Sequence, residues 1–307
     1  MINTPIKVKN RYGKEGVVGI LFAMTPIIGF IIFGFIPLVL AVYMSAHRIN
    51  FFSFEGAEFV GFDNFLRVFR SDRFLHTIRV TLINGLAMPI SLVMALLVAN
   101  FLNRNKFGSK IFRTIFFIPF VCSAVAVAMM WRQMFGLNFG VFNEVLVAMG
   151  FERVRWLTDP NIIPISMIIM GVWSGMAFGI ILYSAALFNV PKTYYEAAKI
   201  DGAGSVRQFF SVTLPAISPT TFFLFTMGMI GMLQDFTRFF IMLGPEAGAG
   251  EAGLTVVFWL FNMGFSEEGF FYYGMGVAAA LSIVLGIGII IITRINFWLS
   301  KWWVHYD

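Results

Sequence analysis

Residues 190–219 read VPKTYYEAAKIDGAGSVRQFFSVTLPAISP, a polar stretch set between two apolar runs. One run ends near Phe188 and the other begins near Ser218, and each is long enough to cross a bilayer as a helix. The stretch must therefore sit at one face of a membrane. Its residues predict two short helices with a bend between them. Pro191 suits a first helical position, where its missing amide hydrogen would have no partner anyway. Good or tolerable helix formers run on to Ile200, and Gly202 falls just past the end, where a left-handed cap favours glycine. Ser205 and Gln208 have the spacing of a capping box for a second helix, with Phe209, Phe210 and Val212 as its apolar face and Pro215 and Pro219 closing the unit.

The rest of the chain agrees. It has 307 residues, 59% hydrophobic and 12% charged, a composition that excludes an ordinary soluble domain and predicts an all-α integral membrane protein. Several spans fit, but a large soluble domain does not fit beside them. Cys122 is the single cysteine, so internal disulfides are excluded, and its apolar surroundings suggest a small buried hydrophobe. Lys7, Lys9, Arg11 and Lys14 precede the first apolar run, Val17–Ser45, which is too long for the core of a signal peptide and reads as a retained helix kinked at Pro26 and Pro37. Five further spans are expected at 78–102, 114–134, 162–188, 219–243 and 273–299.

Placing the amino terminus in the cytoplasm puts every lysine on the inside, including Lys106, Lys110, Lys192, Lys199 and Lys301. The outer loops then mix arginines such as Arg48, Arg67, Arg70 and Arg73 with Glu55, Glu58, Asp63 and Asp72. This orientation predicts a cytoplasmic segment 1–15, a six-helix membrane domain 16–299, a cytoplasmic loop 190–219 and a cytoplasmic tail 300–307.

Glu196-Ala197-Ala198, Asp201-Gly202-Ala203 and the close Val212-x-Leu214-Pro215 resemble the EAA loop of ABC-importer permeases. Small Ala197 and Ala198 would permit close approach of a partner surface. Phe59-Val60-Gly61-Phe62-Asp63-Asn64-Phe65, Gly140-Val141-Phe142-Asn143 and Trp156-Leu157-Thr158-Asp159-Pro160 are similar to the outer loops of the carbohydrate-type permeases, and Phe117-Ile118-Pro119 with Trp131 to their third span. As anchors at helix ends, Phe59, Trp131 and Trp156 are also explained by membrane-interface chemistry. Leu243-Gly244-Pro245 departs from the family's Gly-Gly-Pro. The resemblance implies a type I importer permease of a prokaryotic inner membrane, carrying oligosaccharides or related carbohydrates. It implies as partners a second permease, two ATP-binding subunits that hold ATP and Mg, an extracytoplasmic solute-binding protein and lipid, with no nucleic acid. Glu196, Ala197, Ala198, Asp201, Gly202, Ala203, Leu214 and Pro215 would couple the chain to the ATPases. A permease for a non-sugar solute and an ion-coupled secondary transporter remain as alternatives.

No chemistry of its own is expected of the chain. Gly248-x-Gly250-x-x-Gly253 matches a dinucleotide fingerprint by letter, but no strand precedes it, and no phosphate-loop spacing occurs elsewhere. No cofactor, metal site or catalytic constellation is read. Gly171, Gly175 and Gly179, and Gly274, Ala278, Ser282 and Gly286, form small-residue ridges that let membrane helices approach closely. The polar residues expected along a substrate path are Asn84, Ser91, Trp173, Gln234, Asp235, Arg238 and Asn262, the last in the outer loop region. Asp235 and Arg238, three residues apart, would also neutralise each other on one helix face.

Overall fold

The computed structural model describes residues 14–49, 56–104, 109–266, 269 and 274–305. Lys7, Lys9 and Arg11, residues 50–55 of the expected first outer loop, Lys106, residue 273 and the last two residues lie outside the described residues, as do the side chains of Lys14, Arg104, Lys110, Arg113, Phe117 and Pro119.

The first span is an apolar rod made of α1 (Lys14–Phe30), a π turn (Ile31–Phe35) and α2 (Ile36–Ser45). The π turn stands just ahead of Pro37, whose ring and missing N–H do not fit an unbroken helical ladder. Pro26 is carried inside α1 without a break. A short antiparallel pair, β1 (His47–Arg48) and β2 (Glu58–Phe59), then leads to α3 (Asp63–Arg70).

The second span, α4 (Asp72–Gly85) with α5 (Ala87–Arg104), begins earlier than the expected residue 78. Its polar first turns are satisfied by a later loop. Arg73 pairs with Glu251 at 2.7 Å, and the His76 ring meets the Glu251 carbonyl at 3.0 Å. Next come α6 (Ser109–Val121), α7 (Ala124–Met134), α8 (Val141–Ala148) and the long α9 (Ile163–Asn189). After the polar stretch the chain continues as α13 (Ser218–Leu233), α14 (Thr237–Leu243), α15 (Val256–Phe265) and α16 (Gly274–Ser300), α10 to α12 being described with the site.

Among the described residues four helices are long and apolar enough to cross a bilayer, Val17–Ser45, Asp72–Asn103, Ile163–Asn189 and Gly274–Ser300, with a fifth if the bent pair Ser205–Ala216 and Ser218–Leu233 counts as one span. The expected third and fifth spans are each broken. Ser123 is extended between α6 and α7, and residues 234–236 interrupt the helix between α13 and α14. Cys122 lies at the first break and is exposed, not buried as expected, because the helix ends there.

α9 organises the interior. It is about 40 Å long and apolar all round, as a helix enclosed by lipid and protein must be. Ile163, Met167 and Met170 belong to one apolar core with Trp131, Phe135, Phe239, Trp259 and Leu281. Ile180, Tyr183 and Leu187 belong to a second core with Leu96, Ala99, Ile217 and Leu224. Between the two cores the glycine ridge of α9 lies against a matching ridge on α5. A Cβ added at Gly175 would sit 2.7 Å from Ser91 Oγ, and one at Gly179 would sit 2.8 Å from the Ala95 methyl. Ala87 stands 2.8 Å from the corresponding point at Gly171. The expected ridge on α16 divides. Ala278 packs in the first core, whereas a Cβ added at Gly286 would meet no neighbouring group within 4 Å among the described residues.

Candidate coupling surface and translocation cavity

The polar stretch folds as two helices that share one support. α10 (Lys192–Ile200) begins after Pro191, which caps the helix from outside and is not its first residue. It ends in a Schellman pattern: Ala203 N–H donates to Ala198 O at 2.8 Å and Gly202 N–H to Lys199 O at 3.0 Å, with Gly202 at φ +76°. The left-handed cap expected at Gly202 is therefore present. The expected capping box is not. Gly204 is the N-cap, Ser205 is the first helical residue, and Gln208 Nε2 donates to Ala203 O at 2.7 Å. That bond ties the second helix to the end of the first.

The second helix comprises α11 (Ser205–Gln208), a π turn (Phe209–Thr213) and α12 (Leu214–Ala216). As at Pro37, a π turn precedes a proline, Pro215, so the helix runs through that residue and ends only at Ile217. There the chain bends by 66° into α13, with Pro219 in its first turn. Phe209 and Val212 pack on the second core, and Phe210 is exposed, so the expected apolar face is split. Tyr195 OH and Thr213 Oγ1 meet at 3.0 Å and lock α10 to the π turn. The face turned away from the body carries Glu196 and Ala197, with Ile200 87% and Val206 72% exposed. Ala198, Ala203, Leu214 and Pro215 are half-buried behind it, while Asp201 and Gly202 are exposed.

Halfway along α9 is a cavity of about 360 Å³ between α4, α5, α9 and α13. Asn84, Ser91, Asp235 and Arg238 all line it. Arg238 Nη2 and Asp235 Oδ2 are 2.7 Å apart, with side chains 16% and 22% exposed. The ion pair expected along one helix face forms across a break, with Asp235 in the turn and Arg238 in α14. Asn84, 3% exposed, donates from Nδ2 to Val80 O at 2.9 Å. Its Oδ1, Ser174 Oγ and Arg238 Nε have no protein partner among the described residues. Three polar side chains are thus held at mid-span by apolar helices with hydrogen-bonding capacity to spare.

The other expected path residues lie elsewhere. Gln234 is exposed at the end of α13. Trp173 stacks edge-on against Trp131 beside a different cavity with Cys122 and Met176. Asn262, expected in the outer loop region, is within α15 and borders another cavity with Arg73, Glu246 and Glu251.

Two asparagines in the segments between spans do structural work for which only the letters of their motifs gave a sign. Asn64 Nδ2 donates to Ser45 O and His47 O, both at 2.9 Å, closing the end of the first span. Asn143 Nδ2 reaches Gly136 O, Leu137 O and Val154 O, while its Oδ1 accepts from Val154 N–H at 2.9 Å and Trp156 Nε1 at 3.2 Å. Trp131 is buried, not interfacial, and stacks with Phe142, while Trp156 packs on Phe135. Phe59 is exposed and lies edge-on to His47.

Residues 87–304 match the family described as "Binding-protein-dependent transport system inner membrane component". The chain belongs to that family. This permease is 34% identical over 298 residues to the probable ABC transporter permease protein YesP of Bacillus subtilis, covering 96% of this chain and 94% of that one. It is 33% identical over 292 residues to the arabinooligosaccharides transport system permease protein AraP of Halalkalibacterium halodurans, covering 94% and 89%. Among solved structures, a bacterial ABC transporter involved in the import of the acidic polysaccharide alginate superposes with a TM-score of 0.76 at 27% identity, covering 92% of the permease and 95% of that chain. The fold is therefore that of ABC-importer permeases, and the permease is a multi-pass membrane component.

Proposed function

We propose that this permease is the membrane subunit of an ATP-driven importer of oligosaccharides or related carbohydrates, working by alternating access. The observation that carries the reading is the capped helix α10, which presents Glu196, Ala197, Asp201 and Gly202 outward beside the exposed apolar side chains of Ile200 and Val206. Exposed apolar groups on a polar, membrane-surface unit fit a protein partner better than water. That partner is an ATPase, in line with the family's energy source, and ATP and Mg belong to it. Ala203, Leu214 and Pro215 carry its movement inward through the bend at Ile217. Two ATP-binding subunits, a second permease and an external solute-binding protein complete the assembly. The polar stretch and both termini face the cytoplasm, consistent with the placement of the lysines. A carbohydrate cargo is supported by the arabinooligosaccharide and alginate systems to which the chain is similar, and by the uncharged polar groups of the mid-span cavity.

The test is reconstitution of the complex in liposomes with Glu196→Lys and Gly202→Asp variants. The expected result is normal membrane insertion with ATP hydrolysis no longer linked to sugar uptake. Uptake at the wild-type rate in both variants would overturn the coupling role.

A further inference from the structure

The relatives differ in the charge of their cargo, since arabinooligosaccharides are neutral and alginate is acidic. The mid-span cavity has chemistry that chooses between them. Among the described residues, Asp235 and Arg238 are the only charged side chains lining it, and at 2.7 Å they cancel each other. Arg238 therefore offers no uncompensated positive charge to a carboxylate, and an acidic sugar would bring its own carboxylate against that of Asp235. The remaining hydrogen-bonding demand is mixed. Asn84 Oδ1 accepts only, Arg238 Nε donates only, and Ser174 Oγ can do either. A sugar hydroxyl both donates and accepts, so hydroxyls, which neutral and acidic sugars share, can meet all three; what sets a uronate apart is its carboxylate, which accepts only, cannot serve Asn84 Oδ1 and carries the charge that Asp235 repels. The Phe178 ring, in the same wall, adds apolar surface suited to the face of a sugar ring.

We infer that the cavity bounded by Asn84, Ser174, Phe178 and the Asp235–Arg238 pair is a passage site for uncharged saccharides that rejects uronate-bearing ones. The inference rests on the importer reading above. It assigns the ion pair a selective role, as the device that keeps the site electrically neutral.

The test uses the membrane complex purified with the chain's native neighbours, without its solute-binding protein, and two labelled probes of equal length, galactotriose and trigalacturonate. In equilibrium dialysis the wild-type complex should bind galactotriose at least about tenfold more tightly, and Asp235→Asn, which releases the Arg238 charge, should narrow that preference to about threefold or less. The double variant D235N/R238Q, neutral again, should restore the preference, and it keeps the test decisive if the single variant does not assemble. Equal or tighter binding of trigalacturonate by the wild type, an unchanged preference in an assembled Asp235→Asn complex, or a double variant that favours trigalacturonate overturns the charge selection and leaves the importer reading standing. Binding of neither probe overturns the cavity as a carbohydrate site.

Discussion

The hydroxyls of Tyr195 and Thr213 meet at 3.0 Å, joining the outward-facing helix α10 to the π turn that precedes the fifth span. Together with the bond from Gln208 to Ala203, this contact makes the two short helices one body. On the coupling proposed above, a push on α10 would be delivered to α13 and not absorbed between them.

Removing that link should weaken transmission more than folding. Tyr195→Phe deletes a hydrogen bond worth about 1 kcal/mol and keeps the ring. Uptake per ATP hydrolysed should fall several-fold while the amount of assembled complex stays near wild type. Uptake and hydrolysis measured together in proteoliposomes check this, and an unchanged ratio would remove the link from the mechanism.

Gly202 separates backbone from space. A Cβ there meets nothing within 4 Å, yet φ is +76°. Gly202→Ala should therefore cost only about 1 kcal/mol through the left-handed backbone and leave partial transport, whereas Gly202→Asp adds a charge to the exposed face and should abolish coupling. Equal transport by the two variants would show that strain, not the surface, dominates.

The α5–α9 seam should respond to volume. Gly175→Ala places a methyl 2.7 Å from Ser91 Oγ and should destabilise the permease by about 1–3 kcal/mol. Ser91→Gly in the same chain should recover much of that loss. Thermal unfolding in detergent gives the double-mutant cycle, and strict additivity would mean that the helices do not meet there in solution.

Asn143 is the knot of the segment 136–160. Asn143→Ala strands Val154 N–H and several carbonyls and should cost about 2–4 kcal/mol. Asn143→Asp should be no milder, because a carboxylate cannot donate to Gly136 O, Leu137 O and Val154 O. Unfolding temperature is the readout, and a neutral aspartate variant would contradict the bonding seen here.

Much of this organisation was legible in the residues. The length and polarity of 190–219 anticipated helix α10 and its glycine cap, and Gly171, Gly175 and Gly179 announced a close helix contact. Their partner ridge, Ala87, Ser91 and Ala95, gave no comparable signal, because alanine and serine are common in any membrane helix. The breaks at Ser123 and at 234–236 escaped notice since neither carries a proline or glycine at the break itself, and hydropathy averages across them. Asp235 and Arg238 showed their pairing through spacing alone, but not that a broken helix would turn both toward Asn84. Trp173 and Asn262 were polar residues in apolar runs, and composition could not say which cavity each would border.

The 66° bend at Ile217 has a mechanical meaning. The helical arm Ser205–Ala216 is about 18 Å long, so a rotation of about 10° about the bend moves its far end by about 3 Å. If the coupling proposed above holds, the joint would act as a bell crank: a sideways nudge at Ser205 would become a tilt of α13, whose far end adjoins the Asp235 turn. On the proposed coupling role, a modest displacement of the arm would thereby reach the cavity wall about a half-membrane away.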